Sequence, residues 1–302
     1  MPGAAELKGR ISSIRDTRKI TNAMELISSA KLRRAKANLD QTRPYFSSLQ
    51  AEITRIFRLA PNAESRYFSH DEAEQRSQGA AAGRNGCVVV TADKGLAGSY
   101  NHNVLRAADA FLARTPDTEL FVVGEYGRRY FTRRGVPIDG GFLFTGQSPT
   151  MHRARLIAAG LLDRFDSGEL KTIYMIYTDF KNGVSWESVT TRLLPFHHSH
   201  FEAAMGPMER VPVFDFVPSV TEVLDAAARN YMVGFIYSAL TDSFCSEQNA
   251  RMTAMDAAGR NADKMLDTLG KQYQRSRQEE ITRELTEISA GAKALRARES
   301  NP

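Results

Sequence analysis

The stretches RMTAMDAAGRNADKMLDTL (251–269) and ITRELTEISAGAKAL (281–295) decide the fold. Apolar side chains recur in them at gaps of three and four residues, which is the spacing of one face of an α-helix. No proline occurs between Pro218 and Pro302, and strong helix formers fill most other positions. The pattern therefore predicts one helix over 219–295, roughly 120 Å long at 1.5 Å per residue. The apolar positions are Met255, Ala258, Ala262, Met265, Leu269, Ile281, Leu285, Ile288, Ala292 and Leu295.

The chain also begins with a helical pattern, predicted over 3–58. Pro44 is expected to interrupt this helix, which resumes between Tyr45 and Leu59. A helix with an apolar stripe needs a partner. Because the two helical segments enclose the rest of the chain, we expect them to pack antiparallel, with the end of the longer one projecting alone. The apolar positions of the first helix are Leu7, Ile11, Ile14, Ala23, Met24, Ile27 and Ala30.

The middle of the chain changes its period. Strand-like runs alternate there with helical stretches, which predicts a small α/β domain. The fold prediction is thus a long antiparallel two-helix coiled coil formed by the N- and C-terminal helices, with an inserted Rossmann-like α/β domain. The strands are predicted at 87–92, 119–124, 172–180 and 188–195, and the helices at 100–114, 126–134 and 151–165. The predicted divisions are a coiled-coil helix (1–60), a flexible linker (61–85), the α/β domain (86–195), a loop (196–218) and a second coiled-coil helix (219–302).

Composition excludes several classes of protein. No apolar run approaches the roughly 20 residues of a membrane span, and the first residues resemble neither a signal nor a transit peptide. The chain is therefore expected to stay in the compartment where it is made. Cys87 and Cys245 have no metal-ligand spacing and are interpreted as small buried hydrophobes in a reducing cytosol.

The net charge of +5 is unevenly distributed. Nine lysines and arginines lie between Lys8 and Lys36, against the two acids Asp16 and Glu25. Such a stretch indicates either an acidic partner or a solvated helix face.

Patterns that would indicate catalysis are weak. DKGLAG (93–98) follows a strand, but it matches neither phosphate-binding consensus and is interpreted as a structural turn. His197, His198 and His200 lack a second ligand group and are interpreted as part of a solvated loop. We predict no catalytic residue, no cofactor and no metal site.

Four segments resemble one family. KGRISSIRDTRKITNAMELISSAKLRRA (8–35) is similar to the N-terminal signature of ATP synthase γ subunits, and TADKGLAGSYN (91–101) to their motif at the first strand of the middle domain. SEQNARMTAMDAAGRNADKML (246–266) and RSRQEEITRELTEISAGAKAL (275–295) resemble the C-terminal signatures. The resemblance runs from end to end of the chain, and the order of its parts (helix, α/β domain, long helix) is the order of the family.

This resemblance implies a rotor without a catalytic site, present in one copy per complex. It implies a shaft inside a hexamer of α and β subunits (α3β3), with the α/β domain against the ε subunit and the membrane-embedded c-ring. It also implies a peripheral location on the cytoplasmic face of a bacterial plasma membrane. Proton flow through the c-ring would turn the shaft and drive the β subunits through successive nucleotide affinities, with no nucleic acid involved.

The resemblance also implies contact residues between shaft and hexamer. Arg277 and Gln278 match the family's contact positions best, and a solvated helix face is the alternative for all candidates. Met24 lies where the family approaches an acidic loop of β, although a core methionine is an equal interpretation. The remaining candidates are Arg106, Arg251, Thr282, Glu284 and Glu287.

Two other classes of function remain open at this point. A basic coiled-coil protein that binds nucleic acid would interleave aromatic side chains with its lysines and arginines, and residues 8–36 contain none. A nucleotide-dependent enzyme would need the phosphate loop that DKGLAG does not provide. Recovery together with α and β subunits would distinguish the rotor from both.

Overall fold

The computed structural model describes residues 3–69, 83–180, 186–202 and 215–299. These form two compact units, one of Ser28–Arg251 and one of Met1–Ile27 with Met252–Pro302. No helix among the described residues is both long and apolar enough to cross a membrane. In chain order the elements are α1 (Ala4–Leu59), β1 (Phe68–Ser69), β2 (Arg84–Val90), α2 (Tyr100–Arg114), β3 (Thr118–Val123), α3 (Glu125–Arg133), α4 (Met151–Asp166), β4 (Leu170–Phe180), β5 (Trp186–Leu194), β6 (Phe196–His197), α5 (Ser199–Glu202) and α6 (Val220–Glu299).

The smaller unit is a pair of helical segments from α1 and α6. The Arg18 guanidinium donates to both carboxylate oxygens of Asp263 at 3.0 Å and lies against Gly259. Earlier residues of α1, such as Gly9 and Ser13, instead line a groove with later residues of α6, such as Leu269. The order of contacts on the two segments is therefore opposite, which confirms the predicted antiparallel packing.

The buried seam of α1 differs in part from the predicted stripe. Leu7, Ile11 and Ile14 lie on it as expected, but it continues through polar side chains rather than through the apolar ones. Ala23, Ile27 and Ala30, which the pattern placed on the stripe, are exposed. The seam residues of the smaller unit are Leu7, Ile11, Ile14, Arg18, Thr21 and Glu25, and the same spacing returns in the larger unit at Ser28, Leu32, Ala35 and Leu39.

Pro44 does not interrupt α1, contrary to the prediction. A proline inside a helix loses one backbone hydrogen bond, but packing on both sides of it holds the helix. Two residues later the Phe46 ring lies on Gly234 of α6, where a Cβ atom would come within 1.9 Å of the ring carbon Cδ1. Two and three turns further along the helix, Ile53 and Phe57 are buried in the core.

We expect Gly234→Ala to destabilise the protein by disturbing this contact. Alanine normally stabilises a helix interior by about 0.5–1 kcal/mol relative to glycine, but here the added methyl group displaces the Phe46 ring. Overpacking should lower the free energy of unfolding by about 1–3 kcal/mol. Denaturant unfolding followed through Trp186, the single tryptophan, measures this.

Gly160→Ala is the matched control, because no atom lies within 4 Å of a Cβ built on Gly160 in α4. It should be neutral or stabilising. Equal stabilisation by both substitutions would contradict the packing argument.

The larger unit contains a four-stranded sheet in the order β3-β2-β4-β5. β2 pairs parallel with both β3 and β4, whereas β5 is antiparallel to β4. Both faces of β2 are covered, as its unbroken apolar run requires. Val88 and Val90 face a core shared with α4, α1 and α6, while Cys87 and Val89 face α2. The predicted strands and helices of this region are confirmed, with ends that differ by at most three residues.

Both cysteines are buried, as interpreted from the sequence, and their thiols are free. Burial raises the pKa of the Cys245 thiol to about 12, and burial raises the pKa of Cys87 as well. Low thiolate content makes both side chains unreactive.

Two segments predicted as linker and loop are anchored instead. β1 and β6 pair parallel, with Phe68 opposite Phe196. Tyr67 is buried, and its hydroxyl donates to Asp166 Oδ1 at 2.7 Å. His198 is also buried, 4.0 Å between ring centroids from Phe57, so the prediction of a solvated histidine loop was wrong there.

These two segments are anchored because a few aromatic side chains in each of them are buried, although the segments are otherwise polar. Residues 70–82 and 203–214, which complete the predicted linker and loop, lie outside the described residues. The predicted division of the chain at 60, 85, 195 and 218 stays a prediction. The two compact units are divided within α1 and within α6.

Candidate functional site

Residues 273–293 of α6, called the tip segment, form the first candidate surface. From residue 277 onward every side chain described in this segment is exposed. Ile281, Leu285 and Ile288 are 47%, 63% and 70% exposed, although they continue the apolar spacing of the helix. The prediction that the longer helix projects alone is thus confirmed for this unit. An uncovered apolar stripe of this kind is typical of a surface that another protein covers.

Five of the predicted contact residues lie on the tip segment. The side chains of Arg277 and Gln278 are exposed and make no hydrogen bond or ion pair with any residue that the structure describes. Thr282 is bonded within the helix, because its hydroxyl donates to the backbone oxygen of Gln278 at 2.7 Å. Glu284 and Glu287 are exposed on the same segment. The structure therefore brings these five together, and their contact with another subunit stays a prediction.

Met24 and Arg106 lie elsewhere. Met24 is half-buried on α1 in the smaller unit, beside the seam residue Glu25. This position is compatible with both interpretations, a packing residue and a contact residue. Arg106 is exposed on α2 in the larger unit. The contact roles of both residues stay predictions.

A second candidate site lies in the larger unit, at the carboxyl ends of β2 and β4. β3 lies on one side of β2 and β4 on the other, so the strand order reverses at β2. Open α/β sheets bind ligands in the crevice at such a reversal, beyond the carboxyl ends of the strands. The turn 93–98 follows β2 here. The Asp93 carboxylate accepts three backbone N–H groups, from Glu125 at 3.0 Å, Gly146 at 3.2 Å and Gln147 at 3.2 Å.

Residues of α6 occupy this crevice. Ser243 Oγ accepts the N–H of Thr178 at 3.1 Å, just beyond the last pairing of β4 with β2. Ala250 packs with Ala92, Ala97 and Tyr100. Tyr100 is fully buried, and burial raises its pKa far above the ordinary value. The crevice is therefore filled from within the chain, in agreement with the interpretation of DKGLAG as a structural turn.

Arg251 lies in the same crevice. It is only 8% exposed and Glu247 3%, and the Arg251 guanidinium donates to Glu247 Oε1 at 2.6 Å. Its other terminal nitrogen donates to the carbonyl oxygens of Gly95 at 3.1 Å and Lys94 at 3.4 Å. Burial raises the pKa of Glu247, and Arg251 opposes this shift.

Comparison with known proteins agrees with this architecture. The family model described as ATP synthase matches residues 3–295. The ATP synthase gamma chain of Caldanaerobacter subterraneus is 39% identical over 298 residues, covering 96% of this chain and 99% of that one. The gamma chain of Ruminiclostridium cellulolyticum is 38% identical over 293 residues, covering 96% and 98%.

This chain belongs to the ATP synthase gamma chain family. Solved structures show the same fold at low identity. A chain of the Euglena gracilis mitochondrial ATP synthase, in the structure of OSCP, F1 and c-ring, aligns with a TM-score of 0.66 at 15% identity, over 99% of this chain and 96% of that one. A chain of the Tetrahymena thermophila central stalk and c-ring aligns with a TM-score of 0.57 at 23% identity, over 79% and 99%.

Within this gamma-chain fold, sequence reasoning missed two residues of the crevice. Asp93 was part of the turn motif, but nothing in the spacing showed that its carboxylate accepts three backbone N–H groups. Glu247 stands four residues before Arg251, which is the spacing of a helical ion pair. That spacing is the signal that could have identified the pair, although it does not distinguish a buried pair from an exposed one. Across the described ranges, no group of three His, Cys, Asp or Glu side chains is placed to hold a metal ion.

Proposed function

We propose that this chain is the rotating central shaft of the F1 sector of an ATP synthase, and that it carries no catalytic site itself. The observation that carries the proposal is the family match over residues 3–295 on a chain whose α6 is one helix of 80 residues. A helix of this length transmits torque only when a second helix stiffens it, and α1 packs antiparallel against it in the smaller unit.

The partners follow from this role. One copy of the chain would stand inside the α3β3 hexamer, with the larger unit against the ε subunit and the c-ring. The complex would place the chain peripherally, on the cytoplasmic face of a bacterial plasma membrane. Proton flow through the c-ring would turn the shaft, and ATP would be made or hydrolysed on the β subunits.

The surface of the tip segment suits contacts that form and break with each turn. Ile281, Leu285 and Ile288 lack cover in the described part of their own unit, and the surrounding hexamer would supply it. Arg277 and Gln278 offer hydrogen-bond donors that have no partner among the residues described. Such contacts contribute about 0–1 kcal/mol each where they stay exposed and about 1.5–3 kcal/mol where they are charge-assisted and partly desolvated, so each can form and break with every turn.

Co-purification tests the proposal. An affinity tag on this chain should recover α, β and ε subunits in fixed stoichiometry, together with the c-ring, from gently solubilised membranes. Recovery of the chain alone, or with bound RNA or nucleotide, would contradict it.

Met24 offers a prediction for the rotor. A lysine at this half-buried position would face the acidic loop expected on β, and a pair at 4 Å gains about 4 kcal/mol at an effective dielectric of 20 before desolvation is subtracted. Met24→Lys should therefore leave assembly intact but lower proton pumping per ATP hydrolysed, because the added attraction acts at one rotary angle only. Parallel ATPase and pumping assays on membranes measure this. Loss of assembly would instead favour a packing role, and unchanged pumping would reject the contact.

A further inference from the structure

Helix α6 of the chain itself fills the crevice at the carboxyl ends of β2 and β4. Three independent contacts hold it there: the N–H of Thr178 on Ser243 Oγ at 3.1 Å, the packing of Ala250 on Ala92, Ala97 and Tyr100, and the Arg251 guanidinium on the turn after β2. In a ligand-binding sheet of this topology a small molecule would take these positions.

The contact made by Arg251 is the most specific of the three. Glu247 and Arg251, with the carbonyl oxygens of Lys94 and Gly95, are called the crevice clamp. One guanidinium nitrogen donates to Glu247 Oε1 at 2.6 Å, while the other reaches Gly95 O at 3.1 Å and Lys94 O at 3.4 Å. Because both side chains are buried, the pair resists screening by salt, unlike an exposed ion pair.

The clamp holds a turn in a conformation that an unsupported chain avoids. Leu96 has φ +62°, in the left-handed region that non-glycine residues rarely occupy. Its side chain is 64% exposed, so burial of Leu96 itself does not stabilise this conformation. Arg251 binds the carbonyl groups of the two preceding residues, 94 and 95. This contact holds the turn and so stabilises the left-handed conformation of Leu96.

We propose that the crevice clamp is the joint through which torque passes between the α/β sheet and helix α6. This inference rests on the proposed function as a rotor. In a rotor driven from the foot, force that enters the sheet must reach the helix within the larger unit. Apolar packing alone resists separation but permits small sliding, whereas directional hydrogen bonds to fixed carbonyl groups resist sliding as well. Arg251 is therefore a positioning residue of the shaft, in place of the surface contact that the family resemblance implied.

Single-molecule rotation of the assembled complex tests the joint. With the hexamer fixed and a bead attached through a cysteine introduced at the exposed Ala110 of α2, the angular spread of the bead during a pause reports the torsional stiffness between hexamer and sheet. Arg251→Ala should widen the variance of this angle roughly twofold or more, because a buried charged pair is broken. Proton pumping should fall by a larger factor than ATP hydrolysis in parallel assays.

Conservative variants separate a joint from a general loss of structure. Arg251→Lys keeps the charge but loses the forked donor geometry, and Glu247→Gln keeps an acceptor, so both should show intermediate stiffness. Glu247→Ala combined with Arg251→Ala should be no worse than the more severe single variant, because the two side chains act as one unit.

Arg260→Ala is the matched control. Arg260 pairs with Asp256 four residues earlier on the same helix, but both side chains are exposed, so stiffness and pumping should stay at wild-type values. If Arg251→Ala and Arg251→Lys leave the angular variance unchanged, the joint is disproved. If the wild-type chain does not assemble with α and β subunits at all, the proposed function fails, and that result is distinguishable because it precedes any rotation measurement.

Discussion

Arg277→Ala combined with Gln278→Ala should lower both ATP synthesis and ATP hydrolysis by the assembled complex. Both side chains are exposed on the tip segment and make no hydrogen bond or ion pair with the described chain, so their removal costs the isolated shaft little. A charge-assisted hydrogen bond is worth about 1.5–3 kcal/mol where it is partly desolvated. Loss of such a bond at the slowest rotary step would reduce turnover roughly 10- to 100-fold.

The matched control uses the same residue types on the same helix. Gln274→Ala combined with Arg275→Ala removes an exposed ion pair of Arg275 with Glu279 at 3.1 Å, which contributes at most a few tenths of a kcal/mol. It should leave turnover within about twofold. Subunit stoichiometry is measured first for each variant, so that a loss of turnover is compared only between complete complexes. Equal turnover of the two double variants would remove the contact assignment for Arg277 and Gln278.

Asp242→Asn should stabilise the larger unit at pH 8 and change little at pH 4. Burial, with a smaller contribution from the nearby Asp179 carboxylate, raises the pKa of the Asp242 carboxyl to about 7, and Arg43 opposes the shift. In the unfolded chain the same group has a pKa near 3.9. Between these two values unfolding releases a proton, so the stability that the protonated carboxyl provides is present at pH 4 and is lost as pH rises through about 7.

Asparagine removes this loss because it carries no charge at any pH. The expected gain at pH 8 is about 2 kcal/mol, reduced from the full linkage value because the carboxyl is partly solvated. Denaturant unfolding followed through Trp186 at several pH values measures it. Asp163→Asn, at an exposed position of α4, is the control and should show no comparable change. A gain that is equal at pH 4 and pH 8 would contradict the assignment to ionisation.

The helices and the sheet could be predicted from sequence because their apolar spacing is regular. The apolar period of α6 indicates a long helix and the β-branched run of β2 indicates a buried strand, and the structure contains both elements. The seam of α1 could not be placed as well, because it passes through Arg18, Thr21 and Ser28, whose polarity hides the heptad spacing. Ile20 and Ile27, which look like seam residues by type, are exposed.

The candidate contact residues also fall into a predictable and an unpredictable group. Exposure of Arg277 and Gln278 follows from their place at the projecting end of a helix, which the lengths of the two helical segments already indicate. Arg251 differs because its partners, Gly95 and Lys94, are more than 150 residues distant along the chain. Only the seating of α6 in the crevice brings these groups together, and no local pattern predicts that.

The exposed stripe of the tip segment also affects the chain before assembly. A newly made copy without partners would present Ile281, Leu285 and Ile288 to solvent at one end of a helix, where two copies can pair side by side with little rearrangement. Such surfaces promote self-association as concentration rises. The stripe that a complete complex would cover is therefore expected to make an unassembled copy prone to self-association.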